Sequence, residues 1–154
     1  MIQLALRPDP AYDPEVDEAP EFAPAAAIEH TYFVVAVRLN VAGEDLLVFP
    51  GVYPDWRPLP VLGFASQLRR TVLALEYGEE GTITLEDGGF LSISRGRDNL
   101  VFTTSLAPIR VSALRSEFIA AVLNFSREAC GYARSMSPTV TTHPSWGSWC
   151  PESS

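Results

Sequence analysis

Apolar residues recur at every second position from residue 33 to residue 41. This period of two predicts a β-strand with one fully buried face, and Tyr32, Val34 and Ala36 indicate that its other face is partly covered too. A glycine turn leads into a second short strand over residues 45–49. The apolar positions of the first strand are Phe33, Val35, Val37, Leu39 and Val41.

Two later segments have apolar residues at steps of three and four, which predicts amphipathic helices. The first helix spans residues 60–78, where Pro60 suits the first turn and Gly78 ends it. The second helix has Ser112 as its predicted N-cap and ends between Gly131 and Pro138.

Between these helices, three alternating segments at residues 82–86, 90–95 and 100–104 predict an antiparallel meander. Its turns contain Gly88 and Gly89, after Asp87, and Gly96. The order ββ-α-βββ-α predicts an α+β fold with a largely antiparallel five-stranded sheet and two helices packed on one face. The expected core comprises Val35, Val37, Leu68, Val72, Leu85, Ile93, Phe102, Phe118, Val122 and Phe125.

The two ends lack this patterning. Residues 1–29 form an acidic, proline-rich arm, which we expect to be extended and flexible. Residues 30–136 form the single α+β domain. Residues 137–154 form a Ser/Thr/Pro-rich tail that carries Trp146 and Trp149.

The 154 residues have room for one domain, and their net charge is −8. Residues 1–30 hold seven of the 19 carboxylates and one of the 11 arginines, so most of the excess charge lies in the arm. Clustered positive charge is lacking, which argues against nucleic-acid binding. The acidic arm is compatible with a basic protein partner. Every basic residue is an arginine, which is typical of a GC-rich bacterial genome.

No apolar run reaches the roughly 20 residues of a membrane helix, and the first residues do not resemble a secretory signal. Cys130 and Cys150 are too few for a disulfide framework. We therefore expect a cytoplasmic protein with reduced cysteines, in which Cys130 is a small buried filler.

Recognisable catalytic chemistry is lacking in the sequence. The two histidines, His30 and His143, stand apart from any nucleophile motif, and His143 and Cys150 lack the further ligands of a zinc site. Gly88 and Gly89 lie between two strands and not before a helix, unlike a phosphate-binding loop. We therefore predict no enzyme activity, no cofactor and no metal.

The proline-rich loop at residues 50–60 is the strongest candidate for recognition. It presents Tyr53, Asp55, Trp56 and Arg57 on a backbone that prolines stiffen, and such residue types are enriched at binding hot spots. The alternative is that Trp56 folds back to cap the core. In the tail, Trp146 and Trp149 are predicted to dock, either on a partner or on the domain itself. The predicted partner-binding residues are Tyr53, Asp55, Trp56, Arg57, Trp146 and Trp149.

The layout over residues 30–135 resembles the small acidic bacterial immunity proteins of polymorphic-toxin systems. The resemblance rests on the helix over residues 60–78, on Leu85-Glu86-Asp87-Gly88, and on the strand Asp98-x-Leu100-x-Phe102. It extends through the closing helix around residues 118–125. It implies a non-enzymatic protein that binds and blocks a toxin.

The expected function is therefore a protein-interaction module of immunity type. Two other functional hypotheses remain open. One is an accessory subunit that forms a homodimer through its exposed sheet face. The other is a small-molecule-binding or enzymatic domain with a polar site on the sheet, formed by Tyr32, Arg38, Ser92, Ser94 and Arg95.

Overall fold

A computed structural model of the chain describes residues 1–49, 51–53, 55–78, 80–86 and 88–151. Its first half builds a four-stranded antiparallel sheet around one central strand, which pairs with the three others. The central strand is β2 (Val34–Val41), and its partners are β1 (Ile2–Pro8), β3 (Glu44–Asp45) and β4 (Arg57–Pro60).

The inner face of this first sheet confirms the predicted alternation. Val35, Val37, Leu39 and Val41 of β2 are fully buried, and Leu4 of β1 lies opposite Leu39 on the same face. Burial of these aliphatic side chains, each worth about 1.5–3 kcal/mol, fixes the register, because a slip of one residue would turn them all to solvent.

The N-terminal arm differs from the expectation. Ile2–Pro8 is not a flexible segment but an edge strand that pairs with β2 over its whole length. Its sequence alternates apolar and polar residues, so it offers an apolar face to the core as well as backbone hydrogen bonds. The arm is therefore part of the first sheet, and the predicted domain start at residue 30 is wrong.

The proline-rich loop also differs from the expectation that prolines exclude regular structure. Arg57–Pro60 forms the edge strand β4, with Arg57 and Leu59 opposite β2 residues of the inner face. Pro58 and Pro60 alternate with these residues. In an antiparallel edge strand, the N–H groups of alternate residues point away from the sheet, and proline is tolerated at such positions. Pro50 and Pro54 of the predicted loop lie outside the described residues.

The second sheet is an antiparallel meander, as predicted, with one further strand. Ser112, the predicted N-cap, lies in that added strand opposite Val101, and the following helix begins only at Arg115. The predicted turn residue Asp87 lies outside the described residues. The strands are β5 (Gly81–Thr84), β6 (Phe90–Arg95), β7 (Asn99–Thr104) and β8 (Ala107–Leu114).

The long helices α2 (Val61–Glu76) and α3 (Arg115–Met136) pack against each other, with Phe64 and Phe125 in edge-to-face contact. Phe118 of α3 contacts Phe102 on the inner face of the second sheet. The α+β class and the antiparallel pairing are confirmed, whereas the single five-stranded sheet is wrong, because the strands divide into two four-stranded sheets. Every predicted core residue is buried except Val72, which is half-buried.

Residues 9–33 join β1 to β2 through short helices at Pro14–Val16 and Pro20–Phe22 and through α1 (Ala25–His30). Helix α1 lies very close to α2. A Cβ atom on Gly63 would lie 1.9 Å from the Glu29 carbonyl oxygen, so only glycine allows this approach.

The C-terminal tail folds back onto α2 and α3, where Arg69 of α2 donates to the Ser148 carbonyl. A short 3₁₀ helix (Pro138–Thr142) leads into α4 (Trp146–Trp149), and Cys150 forms a disulfide with Cys130 of α3. The expectation of two reduced cysteines is wrong, because the tail returns to α3 and brings the two sulfurs together. Within the residues that the structure describes, every helix is too short or too polar to cross a bilayer.

Candidate functional site

The outer face of the first sheet brings together residues from three distant parts of the sequence. Across the sheet, Arg7 lies opposite Ala36, and Ala36 lies opposite Pro58. Paired residues of neighbouring strands point to the same face, so Arg7 and Arg38 share the face opposite the buried valines. Trp56 precedes β4 and stacks on this face.

The Trp56 indole lies against the guanidinium of Arg7, whose Cζ is 4.3 Å from the ring centroid. This is a cation–π contact, worth about 0.5–1 kcal/mol at an exposed site. Trp56 is half-buried and Arg7 is exposed. The indole is therefore held in one place by its neighbour and still offers part of its ring to solvent.

Next to this stack, Arg38 binds Asp45 through two hydrogen bonds, from Nε at 2.9 Å and from Nη2 at 3.3 Å. The Asn40 side-chain amide also donates to Asp45, at 3.1 Å. The hydrogen bonds from Arg38 lower the pKa of Asp45 despite its partial burial. The pair is about one third exposed, at 34% and 32%, so solvent screens its contribution to stability.

Asp55 completes the cluster. The pKa of Arg38 is raised mainly by its hydrogen bond with Asp45, and the exposed Asp55 carboxylate adds a smaller electrostatic effect. The surface formed by Arg7, Arg38, Asp45, Asp55 and Trp56, called here the Trp56 face, carries two positive and two negative charges around one indole. It is locally neutral, although the chain as a whole is strongly acidic.

Arg57, also predicted to bind a partner, lies on the inner face and is fully buried. Its Nη2 donates to the carbonyl oxygens of Glu86 at 2.5 Å and Gly88 at 2.8 Å, in the turn between β5 and β6. The half-buried Tyr53 packs on its guanidinium, 5.4 Å from the ring centroid. The prediction is wrong for Arg57, because the side chain links the two sheets and offers nothing to a partner.

The tail tryptophans are likewise internal. Trp146 and Trp149 are 5% and 1% exposed, so their predicted role in binding a partner is wrong, and they dock on the domain itself. Trp149 Nε1 donates to Glu29 of α1 at 3.0 Å, and its ring lies on His143. The Nε2 of His143 donates to the Ala23 carbonyl at 2.8 Å, which ties the tail to the segment before α1.

The alternative polar site on the sheet does not form. Arg38 lies on the first sheet, while Ser92 and Ser94 lie on the outer face of the second. Tyr32 donates its hydroxyl to the Glu18 carbonyl, and Arg95 Nη1 donates to the Leu75 carbonyl at the end of α2. These polar side chains therefore lie on different sheets or bond to different backbone carbonyls, and they do not converge on one site.

A histidine–carboxylate pair is found in a polar cleft between α2 and β5, where His30 Nδ1 lies 2.8 Å from Glu86 Oε1. Such a pair orients an imidazole, and nucleophilic catalysis needs a hydroxyl or thiol beside it. Among the described residues, the structure records no hydroxyl or thiol bonded to His30. The pair bridges α1 and the second sheet.

The contribution of Arg7 and Asp45 to the Trp56 face was not predicted from the sequence. One local signal was present, since Ile2, Leu4 and Leu6 alternate with Gln3, Ala5 and Arg7. This period of two predicts a strand with Arg7 on its polar side. Nothing local predicts that this strand pairs with β2 and thereby brings Arg7 to Trp56.

The comparisons with known proteins do not assign the chain to a class. No protein family, curated protein or solved structure matches it. The geometry of the chain itself therefore carries the functional argument.

Proposed function

We propose that this chain is a protein-interaction module without catalytic activity, of the immunity type, which binds and blocks a toxin through the Trp56 face. The observation that carries the proposal is the half-exposed Trp56 indole, held on Arg7 at 4.3 Å beside a rigid strand. Tryptophan and arginine are enriched at binding hot spots, and a side chain that is already fixed loses little entropy on docking.

The charges around Trp56 support the same proposal. The Arg38–Asp45 pair and Asp55 surround the indole with groups that can exchange partners across an interface. Polar groups at the rim of an interface supply specificity more than affinity. The partner surface that fits is an apolar pocket for the indole, bordered by charges of both signs.

The net charge of −8 supports a basic partner. Because the Trp56 face itself is neutral, this charge would act at long range and raise the association rate without fixing the bound geometry. Association should therefore slow as salt is added, while the hot-spot contribution of Trp56 stays nearly constant.

The sequence predicts a cytoplasmic location, and the disulfide argues against that prediction. Structural disulfides persist in oxidising compartments and are rare in reducing ones. The Cys130–Cys150 bond therefore favours a location outside the reducing cytoplasm. A toxin acting in that same compartment would be the matching target.

Co-expression tests the proposal. Each polypeptide encoded beside this gene is produced in a bacterial host, in the cytoplasm and as an exported form, and growth is followed with and without this chain. We expect one neighbour to arrest growth and this chain to restore it. Growth arrest that this chain does not relieve, or neighbours without any toxicity, would contradict the immunity assignment.

A further inference from the structure

A cavity of about 450 Å³ lies between α2 and α3, on the helical side of the molecule and away from the Trp56 face. Pockets that bind small molecules occupy roughly 300–1,000 Å³ and have mostly apolar walls with a few polar groups. Aliphatic side chains from both helices form one wall: Val72 and Leu73 of α2, and Ile119, Val122 and Leu123 of α3.

Two of these aliphatic residues are unusually exposed for their type. Leu73 is 56% exposed and Leu123 is 39% exposed, although both line the same cavity. Their burial by an apolar ligand would be favourable by about 25 cal/mol for each Å² removed from water. The apolar wall therefore keeps solvent-exposed surface that a hydrocarbon ligand could bury.

The cavity lining also includes polar residues and part of the tail. Arg69 Nη2 donates to the Ser148 carbonyl at 3.0 Å, and Trp149 donates to Glu29 at 3.0 Å, so the tail is fixed to the middle of α2 and to α1. The disulfide from Cys150 to α3 holds the tail in place. The tail therefore forms a fixed part of the cavity lining.

The charge of the lining favours an anion. Arg69 and Arg70 line the cavity together with one carboxylate, Glu29, which already accepts a hydrogen bond from Trp149. Arg70 is exposed and forms no ion pair with any residue that the structure describes. Its guanidinium offers the planar fork that matches a carboxylate.

We propose that the cavity between α2 and α3 binds an amphipathic organic anion, with its carboxylate at Arg70 and its alkyl chain along Leu73 and Leu123. This site is separate from the Trp56 face, so it does not depend on the proposed toxin binding. A straight-chain fatty acid of medium length has the required chemistry, with one anionic oxygen pair and one flexible apolar tail.

The test uses the full-length, disulfide-bonded chain and titrates it with octanoate, decanoate and dodecanoate below their micelle concentrations. Calorimetry and tryptophan fluorescence report binding, since Trp149 lines the cavity. We expect saturable binding at one site, with affinity rising about fourfold for each added methylene. Absence of saturable binding, or an affinity independent of chain length, would overturn the proposal.

Matched variants locate the ligand. Leu73→Gln should weaken decanoate binding by about fivefold or more, because it removes apolar contact, while Leu114→Gln on β8, equally exposed at 53%, should not. Arg70→Gln should weaken decanoate by about tenfold and leave decanol unaffected, because only the carboxylate forms a charge-assisted hydrogen bond. Arg110→Gln on the second sheet is its control. Equal losses in the paired variants, or equal affinities for decanol and decanoate, would contradict the assigned site.

Discussion

The two faces of the first sheet use adjacent residues in opposite ways. On the inner face Arg57 is fully buried and donates to two carbonyl groups of the second sheet. On the outer face its neighbour Trp56 is half-buried, and its ring lies against Arg7 near the start of the chain. The polar residue is inside and the aromatic residue is at the surface, which reverses the usual preference.

This reversal is the basis for assigning fold stability to Arg57 and the proposed partner recognition to Trp56. Arg57 is buried because the turn between β5 and β6 presents carbonyl oxygens that need donors, and a buried charge is tolerated only when its hydrogen bonds are made. Trp56 lies on the outer face, away from the buried valines, and stays partly accessible to solvent. Partly exposed tryptophan is a residue type enriched at binding hot spots.

The largest expected effect is on the inner face. Arg57→Ala should lower the free energy of unfolding by about 3–5 kcal/mol, because it leaves the Glu86 and Gly88 carbonyls without this donor and opens a gap between the sheets. Arg38→Ala, on the outer face, should cost less than about 1 kcal/mol. Urea denaturation measures both. Similar losses of unfolding free energy for Arg57→Ala and Arg38→Ala would contradict the proposed difference between the two faces.

A second test compares an inner-face residue with an outer-face residue of β1, the strand that was expected to be flexible. Leu4→Ala should cost about 2 kcal/mol or more, because Leu4 is 8% exposed and packs in the core, while Gln3→Ala should change stability very little. Thermal and urea unfolding of both variants give the values. If Leu4→Ala is also neutral, residues 2–8 do not pair with β2 in solution.

The smallest expected effect concerns pH and the outer face. Arg38 holds the pKa of Asp45 below its usual value, so this pair stabilises the fold above the unfolded pKa of about 3.9 and loses that contribution as pH falls through the folded pKa. Asp45→Asn should cost less than about 1 kcal/mol at pH 7 and almost nothing near pH 2. Glu44→Gln serves as the control. A cost that grows on acidification would have the wrong sign.

The locally encoded parts of the fold were predictable. The meander and α2 follow from patterns within a few residues, namely alternation between glycine turns and apolar steps of three and four. The strand β8 was missed because Ser112 has the form of a helix N-cap, although Ile109, Val111 and Ala113 alternate with Arg110 and Ser112. Two local signals competed there, and strand pairing with β7 decided between them.

The rest depended on contacts between distant residues. The pairing of β1 with β2 joins segments about 30 residues apart, and the disulfide joins Cys130 to a tail that shows little apolar patterning. For the candidate site, the sequence predicted the loop at residues 50–60 but not that its residues would point to two opposite faces of a sheet. Consecutive residues of a strand point to opposite faces, so Trp56 and Arg57 could not both face a partner once Arg57–Pro60 became a strand.

The central claim, that Trp56 serves recognition while its neighbour serves the fold, is tested most directly by Trp56→Ala. The affinity for the toxin identified by co-expression and the free energy of unfolding are measured on the same preparation, with Phe90→Ala, an exposed aromatic of the second sheet at 49%, as the control. We expect affinity to fall by about 30-fold, or about 2 kcal/mol, with stability changed by less than about 1 kcal/mol and with Phe90→Ala unchanged in both. Affinity kept by Trp56→Ala, or stability lost to the extent expected for Arg57→Ala, would contradict the account.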